Sequence, residues 1–490
     1  MTGQRAAVVI VLSFILATCL HSGARAQNGR TIPAKKYGVK REPIKKTEEP
    51  DNTTAEEPEL SRKERKEKRR EERRKEEEAR ERAEAEQQRK AEKAKREAKK
   101  SAENKLPKPA AIPTAKRKQE VQYPPTRLKK SYRINVLLPL YLDELVKGDN
   151  VTFKDHVPEK ATQGLQFYQG LKLAADSLKR TGYNFDIYIH DIGSFSETPE
   201  MLINDRKLDS TDLIIGAVQQ HDIPALAIFA RKKKVNFVSA LSANDGYVKG
   251  NQFFTMLQPT LKSHCEYITD DMSKKYPGQK VALLYRNTAP NEESAGQYML
   301  TDSYSEVQLK KLLCNTLPDK QQLLTVIDTT RPNVVVIPIL DNMYADSLLK
   351  ALSRFFPNTH MEIYGMPTWS TMTNLRKANA YTNLTVNVTY PFSFEGGADR
   401  AAQAADRNFK KEYGGKATEM VYRGYETMMW YAALLTRYGT IFNADYKDIS
   451  GAPFTKFEVK PRWDGNGSLL YNENRHIYLS TYQGGIYKTE

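Results

Sequence analysis

Residues 134–140 read INVLLPL, an apolar run too short for an amphipathic helix and without polar alternation, as expected of a strand covered on both faces. Similar runs recur at 185–189, 213–218, 235–238, 281–284 and 334–339. Helical patterns lie between them; over 163–180, for example, Leu165, Tyr168, Leu171, Ala175 and Leu178 form one stripe. Strand and helix in regular alternation predict an α/β fold with parallel sheets built from right-handed crossovers. Open sheets of this kind bind ligands at the carboxyl ends of their strands, so functional residues are expected in loops.

The length of this patterned region, about 132–490, suits two lobes better than one core. Lobe 1 is expected over about 132–251 and 391–440, with the helical stretches 400–413 and 418–438 packing back on it. Lobe 2 is expected over about 252–390 plus the C-terminal strands.

Upstream the chain changes character. Arg5, an apolar run over 6–20 and Ala24-Arg25-Ala26 match a secretory signal spanning 1–26, which places the mature protein in the periplasm. Leu16-Ala17-Thr18-Cys19 resembles a lipobox, so a lipoprotein modified at Cys19 and peripherally attached to a membrane is a second reading. Residues 27–58 are polar, with no apolar periodicity, and are expected to be a disordered linker. Residues 59–104 have no Gly or Pro and are dense in Glu, Lys and Arg at spacings of three and four. They are expected to form a single charged helix of about 70 Å or a low-complexity stalk, without the apolar seam of a coiled coil. Residues 105–130 are rich in Pro and basic side chains, as an extended hinge would be.

The net charge of +16 would suggest a nucleic-acid partner if it lay on the folded region. It does not: residues 131–490 hold 40 Lys and Arg against 39 Asp and Glu. No nucleic-acid partner is expected. Signal removal would leave Cys265 and Cys314, either as buried thiols or as one disulfide. The seven histidines are scattered without metal-ligand spacing, and no phosphate loop, dinucleotide fingerprint or Gly-x-Ser-x-Gly elbow is present. No metal, cofactor or catalytic residue is expected.

Several segments together resemble the type I periplasmic solute-binding proteins, the group that includes branched-chain amino-acid receptors of ABC transporters. They are the opening strand 134–140, Phe167-Tyr168-Gln169-Gly170 with Ala174, Ile214-Ile215-Gly216-Ala217-Val218, Val238-Ser239-Ala240-Leu241-Ser242, Phe409 with Tyr413-Gly414, Gly424-Tyr425-Glu426, and the closing Ile477-Tyr478-Leu479 and Tyr482-Gln483-Gly484-Gly485. The resemblance implies two doubly wound parallel sheets joined by a hinge, and a solute held between them. In the amino-acid receptors, hydroxyl side chains after the third and fourth strands hold the ligand carboxylate. This chain has Gln219-Gln220-His221-Asp222 at the first place and keeps Ser239 and Ser242 at the second, with Ser242 where a threonine is usual. The second lobe usually supplies an acidic residue for the ligand amine, and Gly365-Met366-Pro367-Thr368-Trp369 has none.

The candidate ligand-binding residues are accordingly Tyr141, Gln219, Gln220, His221, Ser239, Ser242, Asn287, Asp341 and Trp369. His221 is otherwise read as a capping or surface residue, Asp341 as a helix cap, and Trp369 as an aromatic packed beneath a loop. The expected function is that of a non-enzymatic binding protein closing over an amino acid, peptide or cell-wall fragment, with an ABC permease as partner. The alternative is a scaffold or regulator of the cell envelope, partnered with an envelope or cell-wall protein, that keeps the fold without a ligand.

Overall fold

The structure, a computed structural model, describes residues 118, 120–301, 308–392, 400–446 and 454–489. The expected signal, linker and charged helix, and the hinge up to residue 117, lie outside the described residues. The first lobe begins with β1 (Tyr132–Leu138), α1 (Glu159–Arg180), β2 (Phe185–Asp191), α2 (Pro199–Asn204), β3 (Leu213–Gly216), α3 (Ile223–Lys233), β4 (Asn236–Ser239) and β5 (Phe254–Met256). After a first crossing come α4 (Leu261–Lys275), β6 (Lys280–Tyr285), α5 (Pro290–Thr301), β7 (Gln308–Leu313), α6 (Lys320–Leu324), β8 (Asn333–Val336), α7 (Asn342–Phe355), β9 (Met361–Gly365) and β10 (Leu384–Tyr390). The chain then returns through α8 (Arg400–Tyr413), α9 (Glu419–Tyr438), β11 (Val459–Trp463) and β12 (Leu469–Asn474), and ends with β13 (Tyr478–Gln483) and β14 (Ile486–Thr489).

Among the described residues the first large sheet has the order β11-β12-β5-β4-β3-β1-β2, and the second has β14-β13-β10-β9-β8-β6-β7. Five consecutive parallel strands of each follow the same doubly wound pattern, second-first-third-fourth-fifth. The opening strand shows why its sequence lacks alternation. Ile134, Val136 and Leu138 pack with α1 and α9, whereas Leu137 joins Leu226 and Phe229 of α3 on the opposite face. The second sheet is wrapped into a single core that includes Val335, Leu348, Leu352 and Ile363.

Three sequence expectations are corrected. Lobe 1 does not end at 251, because Phe254–Met256 pairs in parallel with β4 and belongs to the first sheet. The C-terminal strands do not all join lobe 2: β11 and β12 form an antiparallel pair whose second strand lies beside β5, while β13 and β14 extend the second sheet. The last part of the basic hinge is not a free linker. Thr126 Oγ1 donates to the Tyr438 carbonyl at 2.6 Å, Arg127 N donates to Thr440 Oγ1 at 3.2 Å, and Thr440 N returns a bond to the Arg127 carbonyl at 3.1 Å. Pro124 and Pro125 fix this strap as extended chain along lobe 1. Of the two alternatives for the cysteines, the structure shows buried thiols with no disulfide between them.

Candidate functional site

In a doubly wound sheet, a crevice forms where the strand order reverses, beyond the carboxyl ends of the two strands flanking that point. In the first lobe those strands are β1 and β3; in the second they are β6 and β8. The loops at issue therefore carry Tyr141 and Gln219 on one side, and Asn287 and Asp341 on the other.

The loop after β1 is built around Asp191, at the end of β2. Its Oδ1 accepts from Leu140 N at 2.8 Å, Tyr141 N at 2.9 Å and Gly193 N at 3.0 Å, and its Oδ2 from Leu142 N at 2.7 Å. Burial pushes this carboxyl above its usual range, against the opposing pull of the four amides. Tyr141 takes the left-handed conformation, φ 56°, and its ring lies where a Cβ on residue 193 would stand, which requires Gly193. Lys160 Nζ sits 4.6 Å above that ring.

The loop after β3 closes on itself. Gln219 N donates to Asp222 Oδ2 at 2.9 Å, and burial raises the Asp222 carboxyl. His221 is 76% exposed, with Nε2 3.3 Å from Asp222 Oδ1; Gln220 is also exposed. Ser242, in the loop after β4, donates to the Asn244 carbonyl at 3.0 Å and accepts from Asn244 N at 3.1 Å, a local hydroxyl turn. Ser239 is fully buried and its Oγ has no partner. It lies within the sheet and presents no surface to a solute.

From lobe 2, Asp341 caps α7, accepting from Met343 N at 3.0 Å and Tyr344 N at 3.1 Å, while its side chain remains 48% exposed. The Tyr344 amide and, after the opposing effect of burial, Arg286 hold its carboxyl below the usual range. Arg286 Nη1 lies 3.4 Å from Asp341 and 3.5 Å from Glu292, and its guanidinium stacks 4.1 Å from the centre of the Tyr344 ring. Glu292, itself buried, accepts from Leu340 N at 3.2 Å and Asp341 N at 3.1 Å. Asn287 and Asn315 pair reciprocally at 3.1 and 2.7 Å.

Trp369 does not line this region. It is fully buried, and its Nε1 donates to the Ile339 carbonyl at 2.7 Å. Its ring fills the space left by the absent side chain of Gly365. Of the readings open to it in the sequence, packing beneath a loop is the observed one.

Arg423 marks where the lobes meet. Its Nη2 donates to the Ala240 carbonyl at the end of β4 at 3.1 Å, and to Gln258 Oε1 in the first crossing at 2.6 Å. Its guanidinium stacks 3.8 Å from the centre of the Phe392 ring, which follows β10 on the second crossing. Glu419 lies 3.6 Å from Nη1 and also accepts from the Tyr390 hydroxyl. The carboxyl ends of strands from both sheets, β4 and β10, are thus held at one junction. Sequence reading passed over Arg423, Arg286, Glu292 and Asp191. Only Arg423 carried a signal, as a charge beside Gly424-Tyr425-Glu426.

The model of the family described as periplasmic binding protein matches residues 159–447. Two crystal structures show the same fold. One, described as a branched-chain amino acid ABC transporter from Rhodospirillum rubrum, is 13% identical over 74% of this chain and 100% of its own, with a TM-score of 0.54. The other, an ABC-type branched-chain amino acid transporter from Rhodopseudomonas palustris, is 12% identical over 73% of this chain and 95% of its own, with a TM-score of 0.50. No curated protein matches the sequence.

Proposed function

The chain belongs to the periplasmic binding protein family, and from that premise we propose that it is an exported receptor that closes its two lobes over a small, amino-acid-sized solute and presents it to an ABC permease. The observation that supports this best is the pair of strand-order reversals, β1/β3 and β6/β8, whose sheets are joined at the Arg423 junction. The contact residues in this reading are Tyr141, Gln219, Gln220, His221 and Ser242 from lobe 1. Lobe 2 supplies Asn287 and Asp341, with Arg286 beside Asp341 as a further contact in this reading. Binding energy comes from side-chain amides, hydroxyls and the half-exposed Asp341 carboxylate, and closure bends the crossings at Gln258 and Phe392.

Isothermal titration of the purified protein against a broad solute library, with small-angle scattering before and after saturation, tests the proposal. A saturable heat with a decrease in the radius of gyration is expected. Silence across the library, with an envelope protein co-purifying at fixed stoichiometry, favours the ligand-free scaffold instead. Fractionation of cells expressing the full chain tests export: the mature protein is expected in the periplasmic fraction.

A further inference from the structure

Free backbone amides at strand ends and helix amino termini are what an α/β crevice ordinarily offers an anionic ligand group. In this protein several of those amides are already occupied by the chain's own carboxylates. Asp191 takes the amides of the β1 and β2 loops, and Asp222 takes Gln219 N. Asp245 takes Tyr247 N at 2.9 Å after β4. In lobe 2, Glu292 takes the amides leading into α7, and Asp341 takes the next two. In the loops beyond β1, β3 and β8 these donors are thus taken by the chain's own carboxylates, while beyond β6 the Asn287 amide is taken by the Asn315 side chain.

The cations nearby do not restore an anion site. Arg286 is engaged by Glu292 and Asp341, and Arg423 by Ala240, Gln258 and Glu419. Lys160 pairs with Glu144, and His221 stands beside Asp222. An incoming carboxylate or phosphate therefore meets the half-exposed Asp341 carboxylate and amides that the chain's carboxylates have taken, whereas an ammonium or a hydroxyl meets acceptors.

Resting on the receptor reading above, we infer that the solute is non-anionic: a cationic amine or an uncharged, hydroxyl- or amide-bearing molecule with no free carboxylate or phosphate. The crevice itself comes from the fold; what these carboxylates add is the sign of charge it admits.

The test uses the full mature chain. It is incubated with a cell extract supplemented with leucine, benzoate and inorganic phosphate as anionic-group probes, and with leucinamide, spermidine and glucose as non-anionic ones. Whatever it retains is identified by native mass spectrometry, and leucine and leucinamide are then titrated separately. Retention of a non-anionic species is expected. Leucinamide, which differs from leucine in having no carboxylate, should bind at least about tenfold more tightly, since like-charge juxtaposition is strongly unfavourable. Retention of a carboxylate or phosphate species, or leucine binding as tightly as leucinamide, overturns the inference and leaves the receptor reading standing. Retention of nothing overturns the receptor reading, and this inference with it.

Discussion

Gly170 of α1 and Gly424 of α9 let two helix backbones touch: a Cβ on Gly170 would drive into the Val421 carbonyl, and one on Gly424 into the Phe167 carbonyl. This contact fixes how closely α9, the helix from which Arg423 reaches the crossings, lies on α1. Neither neighbour is a flexible side chain that could rotate away, so an added methyl group must push the helices apart.

Gly424→Ala is expected to cost about 3 kcal/mol or more in urea-unfolding stability, at the upper end of overpacking penalties. Gly465→Ala is the control. No atom lies within 4 Å of its added Cβ, so its effect should stay within about 0.5 kcal/mol. Equal midpoints for the two variants would refute the close-contact account.

Glu426 gives the domain a pH dependence. It is fully buried on α9, accepts from Thr455 N and Thr455 Oγ1 at 3.0 Å each, and burial pushes its carboxyl up to about 8 from 4.5. Below about pH 4.5 the folded and unfolded chains both carry the proton, and the contribution to stability is complete. Between about 4.5 and 8 the unfolded chain releases the proton and the folded chain keeps it, so stability falls as pH rises, by up to about 5 kcal/mol. Glu426→Gln cannot ionise, so the variant should lose this slope. Unfolding midpoints at pH 5.5 and 8.5 for both proteins check the sign; parallel pH profiles would contradict it.

The strands were legible where a run was apolar on both faces, as 134–140 and 281–284 are in β1 and β6; 185–189 is also a strand, β2, but at the sheet edge with Asp186 exposed. The helices over 400–413 and 418–438 were legible from their stripes. Allocation between the sheets was not. Nothing local in Leu469–Asn474 distinguishes pairing with β5 from pairing with β10, and its Asn472, Glu473 and Asn474 are buried because of contacts made hundreds of residues away. For the site, fold topology placed Tyr141, Gln219, Asn287 and Asp341 at the strand ends. A serine or tryptophan in sequence does not reveal which face of the sheet it occupies, and Ser239 and Trp369 are core residues for that reason.

Trp369→Phe separates the structural role of that residue from a ligand-stacking one. Loss of the indole bond leaves the buried Ile339 carbonyl without this donor and should cost about 2 kcal/mol of stability. The affinity for whichever solute the wild type retains should not change. A tenfold loss of affinity at unchanged stability would return the indole to the crevice.

Cys265 and Cys314 are expected to resist a thiol reagent such as Ellman's in the folded protein and to react fully in denaturant. Both are buried, and burial pushes the Cys314 thiol up to about 12, which leaves almost no thiolate at neutral pH. Peptide mapping after alkylation, with and without prior reduction, should find both residues modified in denaturant to the same extent. Modification that depends on the reductant would reveal a bond between them.

Glu473 makes close polar contacts between β12 and the second lobe. It is fully buried, and its Oε1 accepts from Thr260 N at 2.7 Å and Ser263 Oγ at 2.8 Å, at the amino terminus of α4. Arg462 on β11 lies 3.4 Å from its other oxygen and makes paired bonds of 2.9 and 3.0 Å to Glu266 of α4. Removing the buried carboxylate exposes two donors and takes one counterion from Arg462, so Glu473→Ala should cost about 3–5 kcal/mol. Glu473→Gln keeps an acceptor for the Thr260 amide and leaves Arg462 paired with Glu266, and it should lose less than half as much. Urea unfolding of the two variants gives the comparison; a Gln variant as damaged as the Ala variant would mean that the charge, and not the cap on α4, is what joins the lobes there.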